Sequence, residues 1–242
     1  MPTIYVGCSG FFYNHWKGPF YPADLSQKQW LQYYSSRFRT VELNVTFYSL
    51  PDKETFHRWY QETPTGFIFS IKGSRFITHV KKLKASAEPL DVFFSRVVAL
   101  KEKLGTILWQ LPPGLKGDPS RLADFLELLK PYGVKNAFEF RDASWVSKKV
   151  FTLLERERAS LCMADSPAFL NDLPLTAAFV YIRRHGQAGD HASCYSQEQL
   201  KADAGMIRKY VKQGKDVFIY FNNDAFGYAT KNAQELIALL KR

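Results

Sequence analysis

Val180-Tyr181-Ile182-Arg183-Arg184-His185 alternates apolar and polar residues and ends in three basic side chains. Side chains in a strand point to opposite faces with period two, so one face of this segment is apolar and the other carries charge. The same pattern recurs in Val41-Glu42-Leu43-Asn44-Val45-Thr46, Phe69-Ser70-Ile71-Lys72, Phe138-Glu139-Phe140-Arg141, Cys162-Met163-Ala164-Asp165 and Ile219-Tyr220-Phe221-Asn222. Helical patterns separate the segments, which indicates a parallel sheet covered on its outer face by helices. The polar set then points inward and gathers at one rim.

Eight strands are expected, near 3–8, 40–47, 67–73, 105–111, 136–141, 160–165, 178–184 and 216–222. Helices are expected after a Ser26 cap, after Pro51-Asp52, over 88–104, after Asp118-Pro119, over 147–158, after the capping-box pattern Ser196-Gln197-Glu198-Gln199, and from about Thr230 to the end. A polar residue before the first turn and proline at its first position are favoured starts. Eight alternating units in 242 residues predict one closed (β/α)8 barrel of the TIM type, one domain over 1–242. The connection between strands six and seven holds Pro167, Asn171-Asp172 and Pro174 and reads as a loop or short turn.

Composition narrows the class. Apolar residues make up 46%, enough for a substantial core, and aromatics 16%. No run approaches the ~18 apolar residues of a membrane span. The start, Met1-Pro2-Thr3-Ile4-Tyr5, has no signal-peptide pattern. Cys8, Cys162 and Cys194 are odd in number and lack metal-ligand spacing. Together these predict a cytoplasmic protein without a disulfide framework. A net charge of +10 attracts polyanions and anionic metabolites.

Active sites of such barrels form at the C-terminal ends of the strands. Glu42, Asn44 and Tyr48 stand at the second, Lys72, Arg75 and His79 at the third and Gln110 at the fourth. Glu139, Arg141 and Trp145 follow at the fifth, Asp165 at the sixth, Arg183 and His185 at the seventh, and Asn222 and Asn223 at the eighth. Glu42, Glu139 and Asp165 balance Lys72, Arg141 and Arg183, with Glu42–Lys72 and Arg141–Asp165 as the obvious pairings. Apolar replacement of buried ion pairs is often neutral or stabilising, so a lattice of six asks for a reason beyond stability. Lys72, Arg141 and Arg183 are the expected anion ligands, with arginine offering forked contacts. Glu42, Glu139, Asp165 and His185 are the proton-transfer candidates. Arg75, His79, Asn44, Gln110, Asn222 and Asn223 would orient the ligand, and Tyr48 and Trp145 would stack on it. Phe11, Phe12, Tyr13, Trp16 and Tyr21 either stack as well or plug the mouth, and Phe20-Tyr21-Pro22 reads as structural. His15, His57 and His191 read as surface or packing residues.

The expected partner is therefore an anionic small molecule or phosphate ester, and the expected enzyme class a hydrolase or lyase using acid–base chemistry. No cofactor is expected. A single divalent metal on Glu42, Glu139, Asp165 and His185 is the minority reading, because three cations share the mouth. Two alternatives are a nucleic-acid binder using the whole basic face, with the stretch Lys72, Arg75, His79, Lys81, Lys82 and Lys84 tracking phosphates, weak in affinity, and a carboxylate-pair glycosidase.

The motifs together resemble the YecE-like family, the domain of unknown function 72, nearly end to end. Gly7-Cys8-Ser9-Gly10-Phe11-Phe12-Tyr13 with Trp16, then Val41 to Tyr48, then Phe69-Ser70-Ile71-Lys72 with Arg75 and Thr78-His79, carry the first half of the resemblance. Gln110-Leu111-Pro112-Pro113, Phe138-Glu139-Phe140-Arg141 with Ser144-Trp145, Asp165, Tyr181-Ile182-Arg183 with His185-Gly186, and Phe221-Asn222-Asn223 carry the second. Cys8 stands where the family more often has Thr, and Arg184 where an apolar residue is common. The resemblance implies a TIM-barrel-like fold and no established reaction. A likeness drawn between the family and endonuclease IV-type barrels implies DNA binding, while the sparse histidines here argue against that enzyme's zinc chemistry.

Overall fold

The computed structural model describes residues 2–84, 86–165, 173–186 and 189–241. Eight strands form one parallel sheet in the order β1-β8-β7-β6-β5-β4-β3-β2. They are β1 Ile4–Cys8, β2 Thr40–Leu43, β3 Ile68–Lys72, β4 Leu104–Gln110, β5 Lys135–Glu139, β6 Ser160–Ala164, β7 Phe179–Arg184 and β8 Asp216–Phe221. The β1/β2 seam is closed only at the top, by a parallel bridge between Ser9 and Glu42 and a 2.8 Å bond from Gly10 N to Glu42 O. Gly7 permits that approach. A Cβ there would stand 2.3 Å from the Thr40 carbonyl oxygen. The sheet is thus the nearly closed barrel that the alternating segments predict.

The principal helices are α1 Trp30–Arg37, the single turn α2 Val45–Tyr48, α3 Lys53–Glu62, α4 Ala87–Val97, α5 Pro119–Leu129, α6 Lys148–Arg156, α7 Gln197–Lys212 and α8 Tyr228–Leu240. Most of their starts follow the sequence signals; Ser26 instead precedes a 3-10 turn, Gln27–Gln29, without a side-chain cap bond, and α1 starts only at Trp30. The Asp52 carboxylate accepts from Thr55 N, Asp118 from Arg121 N ahead of Pro119, and Ser196 forms a capping box with Gln199. None of the helices is long and apolar enough to cross a membrane, among the described residues.

Two boundaries differ from the sequence reading. The second strand stops at Leu43 instead of 47, because α2 begins at once. Thr46 is then not an inward strand residue. Its hydroxyl donates to the carbonyls of Lys72 (2.6 Å) and Leu43 (3.0 Å). The helix expected over 88–104 ends at Val97 and continues as a 3-10 stretch, Val98–Lys103, broken where Lys101 takes φ 49°. Between β6 and β7, Pro167 and Asn171-Asp172 lie outside the described residues. Pro174 sits in a stretch with neither helix nor strand.

The main core lies between sheet and helices and is strongly aromatic. Trp109 of β4 packs edge-on to Phe125, and Tyr21 stacks on Trp30 at 4.7 Å. Trp16, Tyr21 and Phe20 belong to this core, so they hold the first loop against α1. Inside the barrel polarity rises from bottom to top. Tyr5 and Phe218 stack at 4.7 Å near the strand starts. The Tyr220 hydroxyl lies 2.7 Å from both the Thr40 and Ser70 hydroxyls at mid-height. The charged residues stand above it.

Candidate functional site

Glu42, Arg183 and Glu139 form a buried ring at the top of the barrel interior, at 0%, 1% and 0% exposure. Arg183 Nε and Nη2 donate to the Glu42 carboxylate at 2.8–3.1 Å, and Nη1 donates to Glu139 Oε2 at 2.7 Å. Glu42 also accepts from the Ser9 hydroxyl at 2.6 Å and the Tyr181 hydroxyl at 2.7 Å. Glu139 takes in addition the Gln110 amide at 3.0 Å and an ion pair with Arg141. Burial pushes both carboxyls up. The Arg183 guanidinium and the donated hydrogen bonds outweigh it, leaving Glu42 below the usual range and Glu139 well below. The ring is therefore ionised, enclosed and largely satisfied.

Above the ring opens a cavity of about 800 Å³. Lys72, Arg141, His79, His185, Gln110 and Asn222 line its inner wall, and Tyr13, Asn44 and Tyr48 its side. Lys72 is 8% exposed. Its ammonium sits 4.3 Å over the Phe47 ring and has no carboxylate at ion-pair distance among the described residues. Burial, then the Arg183 charge, pushes it down to about 8. Arg141 is one-fifth exposed, and its Nε finds no hydrogen-bond partner. His185 Nε2 lies 3.1 Å from Arg141 Nη2 and 3.3 Å from Arg183 Nη1. Arginine only donates, so Nε2 accepts, and the Asn222 amide nitrogen lies 3.0 Å from Nδ1 on the other side of the ring. Burial and Arg183 push this imidazole down to about 4, so it is neutral at neutral pH. Burial, with Lys72 and Arg75, also lowers His79.

Five expected residues take other places. Asp165 does not point into the barrel. It shares its strand phase with Leu161 and Met163, which pack in the outer core, whereas Cys162 faces the interior. Its carboxylate accepts from His185 N at 2.6 Å and from the Tyr195 hydroxyl. The expected Arg141–Asp165 and Glu42–Lys72 pairings are replaced by Arg141–Glu139 and Glu42–Arg183. Trp145 is fully buried, stacked on Phe140 at 4.7 Å with its indole N–H on Leu115 O, and cannot stack on a ligand. Asn223 is buried and donates to Ser193 O and Asn232 Oδ1, tying loops together behind the mouth. Arg75 is exposed at the start of the π-helical turn Phe76–Val80 and does not line the cavity. Arg183 reaches the cavity floor, but its donors are taken by the two glutamates.

His15, His191 and Asp224 also line the mouth, whereas the sequence reads the two histidines as surface or packing residues and gives Asp224 no role. Asp224 accepts from the Trp16 indole at 2.6 Å and pairs with His15 at 2.9 Å. His191 Nδ1 donates to Asn222 O at 2.9 Å, and its ring meets His185 edge-on at 5.0 Å. Asp224 continues the phase of Tyr220 and Asn222, a signal present in the sequence. Only loop geometry brings in the two histidines. No group of three or more His, Cys, Asp or Glu is placed to hold a metal ion, among the described residues. The four residues of the single-metal reading are divided between the ring, the mouth and the outer side of β6.

Comparison with known proteins places this architecture. The protein YunF of Bacillus subtilis (strain 168) is 25% identical, over 98% of this chain and 94% of its own. A DUF72 family protein of Thermotoga maritima MSB8, known from its crystal structure, superposes with a TM-score of 0.88 at 29% identity, covering 99% of this chain and 100% of that one. One from Enterococcus faecalis V583 gives 0.85 at 20% identity, covering 99% and 96%, a likeness of fold. The family described as "Protein of unknown function DUF72" matches residues 5–242, and the chain belongs to it.

Proposed function

We propose that the barrel mouth binds a small anionic ligand, a phosphate ester or a carboxylate. The observation that carries this is Lys72, a nearly buried ammonium with no carboxylate at ion-pair distance among the described residues. An uncompensated charge in such a place is costly, and a bound anion compensates it. Arg141 supplies the directed donor, since its guanidinium lines the cavity and is one-fifth exposed. Asn44, Gln110 and Asn222 orient the ligand, and Tyr13 and Tyr48 cover it from the side.

The acid–base roles move with this geometry. Glu42 and Glu139 are held ionised beneath the floor, so they serve as the counter-charges that fix Arg183 and Arg141. Lys72 faces the cavity with a value displaced toward the working range, and His79 beside it is lowered by burial and by the Lys72 charge. A hydrolase or lyase fits them. A carboxylate-pair glycosidase built on Glu42 and Glu139 fits less well, because it needs one carboxyl that holds a proton and both of these are held ionised. The unpaired cysteines support a reducing, cytoplasmic setting.

Titration calorimetry with inorganic phosphate, glycerol 3-phosphate and citrate tests the reading. Binding of at least one is expected, weakened about tenfold or more by Arg141→Met and by Lys72→Met, as for loss of one charge-assisted contact. Absence of heat for all three at millimolar concentration would overturn it.

A further inference from the structure

We propose that Lys72 is a carbonyl-reactive amine, and that the ligand of the mouth is an anionic aldehyde or ketone with which it forms an imine. This rests on the anion-binding reading and names its substrate class. Lys72 closes β3 in phase with Ile68 and Ser70, so its side chain rises from the barrel interior to the cavity floor. The Thr46 hydroxyl holds its carbonyl at 2.6 Å and fixes the backbone there. Its Nζ lies against the Phe47 ring at 4.3 Å. The two nearby carboxylates are engaged by Arg183 and Arg141.

A lysine placed for charge balance meets a carboxylate. A lysine placed for nucleophilic work needs a free lone pair, which desolvation and neighbouring cations provide. Both act on Lys72, whose ammonium sits at about 8. At pH 7 it therefore exposes about 200-fold more free amine than a lysine at the ordinary value. In the step itself, the Nζ lone pair attacks the carbonyl carbon and forms a C–N bond. The C=O π pair moves to oxygen, which takes a proton. The resulting carbinolamine expels that hydroxyl as water and leaves C=N. Amine plus carbonyl gives imine plus water, with no oxidant or reductant. Arg141 holds the anionic group, and the Asn44 and Gln110 amides are the neutral donors within the same cavity for the carbonyl oxygen.

Wild-type protein is treated at pH 7 with glyoxylate and cyanoborohydride, and the modified lysines are mapped by peptide mass spectrometry. Lys72 is expected to react at least tenfold faster than the exposed Lys81 and Lys82. Inorganic phosphate is expected to slow it, and Arg141→Met to slow it with glyoxylate more than with propionaldehyde, which carries no anion. Labelling of Lys72 no faster than Lys81 and Lys82, with phosphate binding intact by calorimetry, overturns the imine and leaves the anion site standing. Fast labelling by both aldehydes, without protection by phosphate and without phosphate heat, overturns the anion site and the substrate class while the reactive amine stands.

Discussion

Arg183 and Lys72 enter the same end of the barrel, 1% and 8% exposed, and meet opposite surroundings. The arginine is gripped by two glutamates, with a serine and a tyrosine completing the shell of one of them. The lysine, beside it, faces an aromatic ring and an open cavity. Both are buried cations, and burial penalises both. For Arg183 the carboxylates more than offset the penalty, and its proton is held more firmly. For Lys72 the penalty stands, and its proton is held less firmly. The contrast separates two kinds of inward charge that look alike as residue letters. One kind is scaffold that gives the upper barrel a rigid floor, and the other is available to a ligand.

The largest effect expected from this contrast is on the ring. Arg183→Met leaves two fully buried carboxylates without their shared cation, and breaking a buried pair in this way costs about 3–5 kcal/mol. Urea unfolding should show that loss. A cost below about 1 kcal/mol would mean the ring is not the scaffold described.

Lys72 should behave in the opposite sense. Its folded value of about 8 lies below the ordinary value for lysine. Between the two the unfolded chain binds more protons, so this group makes stability rise with pH from about 8 to about 10.4. Below that window it is a standing penalty of at most about 3 kcal/mol. Lys72→Met is thus expected to raise stability at pH 7 and to remove this rise in unfolding curves from pH 7 to 10. A variant less stable than wild type at pH 7 would show that the ammonium has a structural partner.

His185 joins the two regions, since its Nε2 takes donors from both Arg183 and Arg141. Its folded value of about 4 lies below the ordinary value, so the unfolded chain again binds the extra proton. Stability should fall as pH drops from about 6.5 to about 4, by at most about 3 kcal/mol, the lower part of the window being shared with titrating carboxylates. His185→Gln should flatten that fall. An unchanged slope would place the acid sensitivity elsewhere.

The fold was legible because period-two alternation, helix caps and chain length agree with one another. The Asp118-Pro119 start and the Ser196 capping box are local, and local signals survive folding. The site was legible by strand end but less so by role. Asp165 was assigned inward from a four-residue segment, yet Cys162 and Ala164 carry the inward phase and Asp165 lies one step off it. Trp145 and Asn223 are polar or aromatic residues at the right height that turn away from the mouth. Alternation reports a face and not what a loop residue does after the strand ends. His15 and His191 are the converse, reaching the mouth from loops with no periodic signal. The exchange of Glu42–Lys72 for Glu42–Arg183 follows from reach across the barrel. Arg183 spans both glutamates with one planar fork, which a single ammonium cannot do.

The smallest effect is expected from charges outside both regions. Lys81, Lys82 and Lys84 are exposed on the turn that follows the Phe76–Val80 segment, and the Lys81 ammonium lies over the Phe76 ring at 5.3 Å. None of them lines the mouth. Lys81→Ala with Lys82→Ala should change stability by less than about 0.5 kcal/mol and small-anion affinity by less than about twofold. With a net charge of +10 the chain should still bind DNA weakly and without sequence preference. That binding should weaken with salt at a log–log slope of about −0.9 per phosphate neutralised. A ligand held in the mouth by Arg141 and Lys72 makes few such contacts and should respond to salt much less. Filter binding of duplex DNA across a salt series, beside calorimetry of a phosphate ester on the same samples, separates the two. Tight DNA binding at physiological salt that is lost with Lys81, Lys82 and Lys84 would move the functional surface from the barrel mouth to that turn.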